Sequence, residues 1–224
     1  MEHQTAFDQE LAEVKDLVLK MGVLVQELIN KSVEALKNRD RDLAKQVIKK
    51  DLEVDRLELE IDEKCINLIA LRQPKAGDLR FITTGMRLVT DLERIGDLAE
   101  DIAERAIEVS DQPLLKPLID IPKMAKLAEE AVSLGLDAFI NSDADKTKEV
   151  WAIEKQVNKL RDLVHDELLE IMGKDGSTVA KAIPLLLVSR HLERISDHAT
   201  NIAEDVVYMV EAKVVKHPAA TQEK

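Results

Sequence analysis

One hexapeptide occurs twice in this chain, one hundred residues apart. Leu92-Glu93-Arg94-Ile95-Gly96-Asp97 returns as Leu192-Glu193-Arg194-Ile195-Ser196-Asp197, and Asp101-Ile102-Ala103-Glu104 is answered by Asn201-Ile202-Ala203-Glu204. A chain of 224 residues admits one elongated domain or two small ones, and a repeat of this length points to two copies of one unit.

Each copy follows a second helical pattern, Val47, Val54, Leu57, Ile61, Ile66 and Leu68 in one half and Val150, Val157, Leu160, Val164, Leu168 and Ile171 in the other. Both patterns end at turns. Arg72 to Gly77 is followed by Asp78 as the expected cap of the next helix, and Gly173 to Ser177 offers Ser177 or Thr178 as cap. A further helix opens each half, roughly Gln9 to Lys37 and roughly Pro122 to Ile140, with Pro122 reading as proline at a first helical position. The expected fold is all-α: two tandem three-helix bundles, residues 6–110 and 121–216, built from six long helices. Pro113 and Pro117 mark a linker at 111–120, and 1–5 and 217–224 read as loose tails. Helices of about 30 residues reach roughly 45 Å at ~1.5 Å per residue, so an elongated molecule is expected. Pro184 falls inside the helix expected from near Thr178, which therefore starts late or kinks there.

Composition agrees with helices that each have one wet face. Hydrophobic residues are 45% and charged residues 34% of the chain, whereas aromatic residues are 2%, too few for a typical sheet core. A net charge of -12 opposes binding to nucleic acid, which needs a concentrated basic surface. The single cysteine, Cys65, rules out a disulfide within the chain and reads as a small core residue. No stretch is long and apolar enough for a membrane helix, and the first thirty residues carry charges throughout, so the expected compartment is the cytoplasm.

On a helix, Leu88, Leu92, Ile95, Ala99, Ile102, Ala103 and Ala106 share one face, the expected core side. Glu93, Asp97, Asp101, Glu104 and Glu108 fall on the other side, where like charges four apart destabilise an exposed helix by ~0.2–0.5 kcal/mol per pair unless a cation offsets them. The second half repeats the row more weakly with Glu193, Asp197, Asn201 and Glu204, and the preceding helix adds Asp51, Asp55, Glu58 and Asp62. Acidic rows on adjacent helices provide oxygen donors suited to Mg, Mn or Fe. An ordinary solvated face is the alternative.

Of the histidines, His191 and His198 are turned by about 100° from Asp197 and are poorly placed to complete a metal site with it. His165, His191 and His198 are the candidates a histidine phosphotransfer domain would use. A ferritin-like di-metal protein needs Glu-x-x-His pairs, which are absent, and no nucleophile elbow, Walker loop or dinucleotide fingerprint occurs. No catalytic residue is assigned.

The same passages carry a resemblance. Gln73-Pro74-Lys75-Ala76-Gly77-Asp78-Leu79-Arg80-Phe81-Ile82, Asp91 to Asp97, Ile121-Pro122-Lys123-Met124-Ala125 and His191 to Glu204 resemble the PhoU family, accessory regulators of bacterial phosphate-specific transport systems. The resemblance implies a pair of three-helix bundles, usually dimeric or larger, that represses the phosphate-starvation response when phosphate is plentiful. It further implies a cytoplasmic adaptor between the ATPase subunit of a phosphate ABC transporter and a sensor histidine kinase, peripheral to the membrane only through those partners. Members of the family carry multinuclear iron or zinc on Glu/Asp-x-x-x-Asp rows, which map here onto Glu93, Asp97 and Asp101, onto Glu193 and Asp197, and onto Asp55. Asn201 stands where a further carboxylate would be, and Asn158 aligns with Asp55, so the second row is incomplete.

Overall fold

A computed structural model describes residues 6–215, and the stretches 1–5 and 217–224 read as tails lie outside the described residues. Six helices make up the fold: α1 (Ala6–Asn38), α2 (Arg41–Arg72), α3 (Ala76–Val109), α4 (Asp120–Asn141), α5 (Thr147–Lys174) and α6 (Val179–Glu211). No strand occurs among the described residues.

The helix ends show which local signals operate. Asp40 caps α2, its side chain accepting from the backbone N–H of Asp42 at 3.0 Å and of Leu43 at 2.9 Å. Asp78 is not a cap: α3 begins at Ala76, and Asp78 sits in its first turn, where a carboxylate complements the N-terminal end of the helix dipole. Thr178 precedes α6 without a side-chain cap bond, and Asp175 caps the short 3-10 turn before it by accepting from the N–H of Ser177 at 2.9 Å. Pro122 is the third residue of α4 rather than the first, still within the turn whose N–H groups need no helical partner. Pro184 lies buried inside α6, which runs unbroken from Val179 to Glu211, so the late start is excluded.

Helices α1, α3, α4 and α6 pack against one another in the centre. Helix α2 covers α1 and α3 on one side, α5 covers α4 and α6 on the other, and the most extensive helix pair is α3 with α6. The two halves therefore share one continuous core. All seven residues assigned to the core face of α3, from Leu88 to Ala106, are buried, each large one contributing about 1.5–3 kcal/mol. Phe81 and Phe139 stack with ring centroids 4.6 Å apart, tying α3 to α4. Gly22 allows α1 to approach α4, since a Cβ there would collide with Leu136.

Ile66 departs from the expected pattern. The buried face of α2 runs through Val54, Leu57, Ile61, Cys65 and Leu68, and Ile66, turned by about 100° from Cys65, is exposed.

Candidate functional site: an acidic cleft between α2 and α3

Helices α2 and α3 pack side by side, so their acidic rows meet. One carboxylate oxygen from each of Asp51, Asp97 and Glu100 lies within 4.8 Å of the others. Asp51 is the inner member: it is only 4% exposed, and its Oδ1 has no hydrogen-bond partner. A carboxylate belongs in such a place only if it is neutralised by a proton or a cation. Gly96 makes the space for it. A Cβ at Gly96 would overlap Asp51 Oδ1, with Val54 Cγ1 3.3 Å from the same point.

The electrostatics follow from burial and crowding. Burial, reinforced by Glu100, Asp55, Asp97 and Glu93, pushes the Asp51 carboxyl up to about 7. Burial also raises Glu93, with Asp97 next in importance, and Glu100, with Glu104 next. Arg94 supplies part of the countercharge through ion pairs to Glu93 at 3.3 Å and Asp97 at 3.0 Å. Five carboxyls in one cleft thus bind a proton or a cation more readily than they would singly. Oxygen donors alone favour a hard cation such as Mg, Mn or Fe over zinc held by nitrogen or sulfur.

The residues assigned from sequence are distributed unevenly. Asp97 is in the converging trio, and Glu93 and Asp55 stand close enough to raise Asp51. Asp101 is directed elsewhere: its Oδ2 lies 3.6 Å from His191 Nδ1 on α6. The reason is helical drift, because steps of four residues advance ~40° each, carrying Asp101 out of the α2 cleft toward the seam with α6. Asp51 and Glu100 were not among the residues assigned to the site.

The second half is built differently. The offset that aligns Asn158 with Asp55 places Glu154 against Asp51 and Arg161 against Glu58. Glu193 is 8% exposed, with Arg190 Nη1 2.9 Å from its Oε2 and Arg161 Nη2 3.8 Å from its Oε1. Asn158 donates to Glu154, and Ser196 fills the position that Gly96 leaves open. Burial raises Asp197, with Glu193 the next cause. Glu193 and Asp197 are therefore neighbours, but a guanidinium occupies the place where the first half has another carboxylate.

Across the α3/α6 seam, Asp91 Oδ1 accepts from His198 Nδ1 at 2.8 Å and from the Asn201 amide at 3.2 Å. The His191–Asp101 contact is its counterpart under the repeat, since Asp91 corresponds to His191 and Asn201 to Asp101. His198 thus serves the joint between halves, and His165 is exposed on α5.

The PhoU domain model matches residues 18–106 and again residues 121–206, one match for each half. The chain belongs to the PhoU family. It is 44% identical over 209 residues to the phosphate-specific transport system accessory protein PhoU homolog of Aquifex aeolicus, covering 93% of this chain and 95% of that one. Its identity to the phosphate-specific transport system accessory protein PhoU of Escherichia coli is 32% over 211 residues, 94% of this chain and 88% of that one. The crystal structure of PhoU from Pseudomonas aeruginosa superimposes with a TM-score of 0.88 at 36% identity, covering 92% of this chain and all, 100%, of that one. These PhoU neighbours share the all-helical fold with its tandem repeat.

Proposed function

We propose that this protein is the accessory regulator of a phosphate-specific transport system, restraining the phosphate-starvation response when phosphate is plentiful and modulating uptake. The observation that carries this reading is the end-to-end match to relatives of that name, both halves included. The protein acts by binding rather than catalysis, as a cytoplasmic adaptor between the transporter's ATPase subunit and a sensor histidine kinase. Helical surfaces with different affinity for two states of a partner shift that partner's population without any reaction. Among the described residues no helix is long and apolar enough to cross a membrane, so membrane association would come through those partners. The test is affinity capture of the tagged chain from cells grown in high and in low phosphate. Recovery of the ATPase subunit or a sensor kinase supports the reading, and capture of neither under both conditions overturns it.

A second reading concerns the acidic cleft. Asp51, Asp97 and Glu100, with Glu93 and Asp55 beside them, fit a hard divalent cation, and the buried, unpartnered Asp51 Oδ1 favours it. Iron is the better fit of the two metals implied by the family resemblance. Calorimetric titration of the chelator-treated protein with Mn2+ or Fe2+ decides the matter, and equal binding by wild type and by Asp51→Asn would sink it.

A further inference from the structure

One patch of this surface has the opposite sign to the chain as a whole, whose net charge is -12. Between α1 and α2 lies an open hollow of about 380 Å³, lined by Lys31 of α1 and by Lys49, Lys50 and Arg56 of α2, with Glu53 the one carboxylate among the lining residues. Lys31 and Lys50 reach in from the two walls and share a single acid, Glu27, at 2.6 and 3.4 Å. Lys49 and Arg56 form no ion pair with any described residue. Lys49 and Glu53 stand four apart, but with the lysine on the N-terminal side, the weaker order for a helical pair. The hollow therefore keeps an excess of positive charge that the chain itself does not satisfy. Its base is apolar: Leu28 and Val47 are buried, and Leu52 at the edge is 53% exposed.

We propose that this hollow binds a nucleoside di- or triphosphate, with the phosphates on the four cations and the nucleoside against Leu52. Lys49 and Arg56 are two helical turns apart, ~10 Å along α2. A single orthophosphate cannot bridge that distance, whereas linked phosphates carrying a nucleoside can. The Arg56 guanidinium offers a planar fork for phosphate oxygens, and the lysines offer mobile point charges. Leu52 and the lysine stems give an apolar face for a base, and the Gln46 amide at the same wall both donates and accepts, as a base edge requires. The volume falls within the ~300–1,000 Å³ of small-molecule pockets.

Two other occupants fit less well. An inorganic polyanion leaves the apolar base uncovered. An acidic partner helix needs the α1/α2 groove open along its length, and beyond the hollow that groove is bridged by Lys64 to Glu13 at 2.9 Å and Arg72 to Glu10 at 2.7 Å. No glycine lines the hollow, so side chains rather than backbone N–H groups hold the phosphates, and the affinity expected is modest. The proposal stands on the hollow alone and does not depend on the phosphate-transport reading.

The test is calorimetric titration of the full chain, in EDTA to keep divalent ions from the acidic cleft, with ATP, ADP, tripolyphosphate and orthophosphate as separate titrants. One ATP site per chain is expected, with a Kd on the order of 10–100 µM that weakens several-fold between about 50 and about 200 mM salt. Tripolyphosphate should bind several-fold and orthophosphate at least tenfold more weakly. Lys49→Glu and Arg56→Glu should each weaken ATP about fivefold or more, and Glu53→Gln should tighten it about twofold or more. Leu52→Ser should weaken ATP and leave tripolyphosphate unchanged. All four side chains are exposed, so circular dichroism should match wild type in every variant. No binding of ATP or ADP up to about 1 mM, or binding that Lys49→Glu and Arg56→Glu both leave unchanged, overturns the proposal. Tripolyphosphate bound as tightly as ATP, with Leu52→Ser without effect, overturns the nucleoside assignment.

Discussion

Gly96 of α3 and Asp51 of α2 share one space: the missing Cβ of the first is what admits the carboxylate of the second. Serine, the residue at the same point of the repeat, would occupy that space. Gly96→Ser is expected to leave the fold intact at a cost of ~1 kcal/mol, while turning the Asp51 carboxylate away from Asp97 and Glu100. Mn2+ affinity should fall at least tenfold, or ~1.4 kcal/mol, by calorimetry. Wild-type affinity in this variant, with unchanged circular dichroism, would remove Asp51 from the ligand set.

Asp51 also gives stability a pH dependence of unusual sign for an acid. Its folded pKa of about 7 lies above the ordinary 3.8, so between those values the folded state holds a proton the unfolded chain has lost. Stability from this group is therefore fully present below about pH 3.8 and is lost as pH rises through about 7, by on the order of 2–4 kcal/mol. His191 works against it over the acid part of this window: burial holds its pKa below 6.5, so its contribution is lost as pH falls below 6.5. Asp51→Asn removes the first effect alone. Urea unfolding at pH 5 and pH 8 should show the variant more stable than wild type at pH 8 by about 1–3 kcal/mol, with the advantage shrinking at pH 5. An equal difference at both values would contradict the assignment.

The helices, the duplicated layout and the acidic face were legible because periodicity and repetition act over many residues. The inner member of the site was harder. Asp51 belongs to the same acidic row as Asp55 on α2, and only the packing of α2 onto α3 buries one and leaves the other nearer the surface. The Gly96/Ser196 difference inside an otherwise repeated hexapeptide was the available signal, because a glycine mid-helix is unfavourable unless something approaches it closely. Asp101 was drawn into the row by its four-residue spacing, which ignores the drift that turns it to His191. Ile66 was drawn into the core in the same way, by hydrophobicity without phase.

The seam between halves rests on polar contacts as well as core. His198 and Asp91 meet at 2.8 Å from opposite halves, both mostly buried. Asp91→Asn and His198→Ala are each expected to cost about 1–2 kcal/mol, and the double variant to cost ~1 kcal/mol less than their sum. Strict additivity in a urea double-mutant cycle would show that the pair does not couple the halves.

In the second half, Arg161 stands where Glu58 stands in the first, and with Arg190 it countercharges the buried Glu193. The two halves thus solve one electrostatic problem in different ways, the second with two guanidinium groups on Glu193 and the first with Arg94 on Glu93 and Asp97 and a proton or a free ion for the buried Asp51. Exchanging Arg161→Glu and Asn158→Asp together with Ser196→Gly and Thr200→Glu, the residues found at the corresponding points of the first half, should convert the second solution into the first half's form. Without metal the variant should lose about 2–3 kcal/mol, since Glu193 keeps only Arg190 against added negative charge. Added Mn2+ should restore much of that loss and raise the number of sites per chain above that of wild type, read by thermal unfolding and calorimetry side by side. Destabilisation that Mn2+ leaves untouched would show that Arg161 is a structural cation only and that the second cleft lacks the shape to hold an ion.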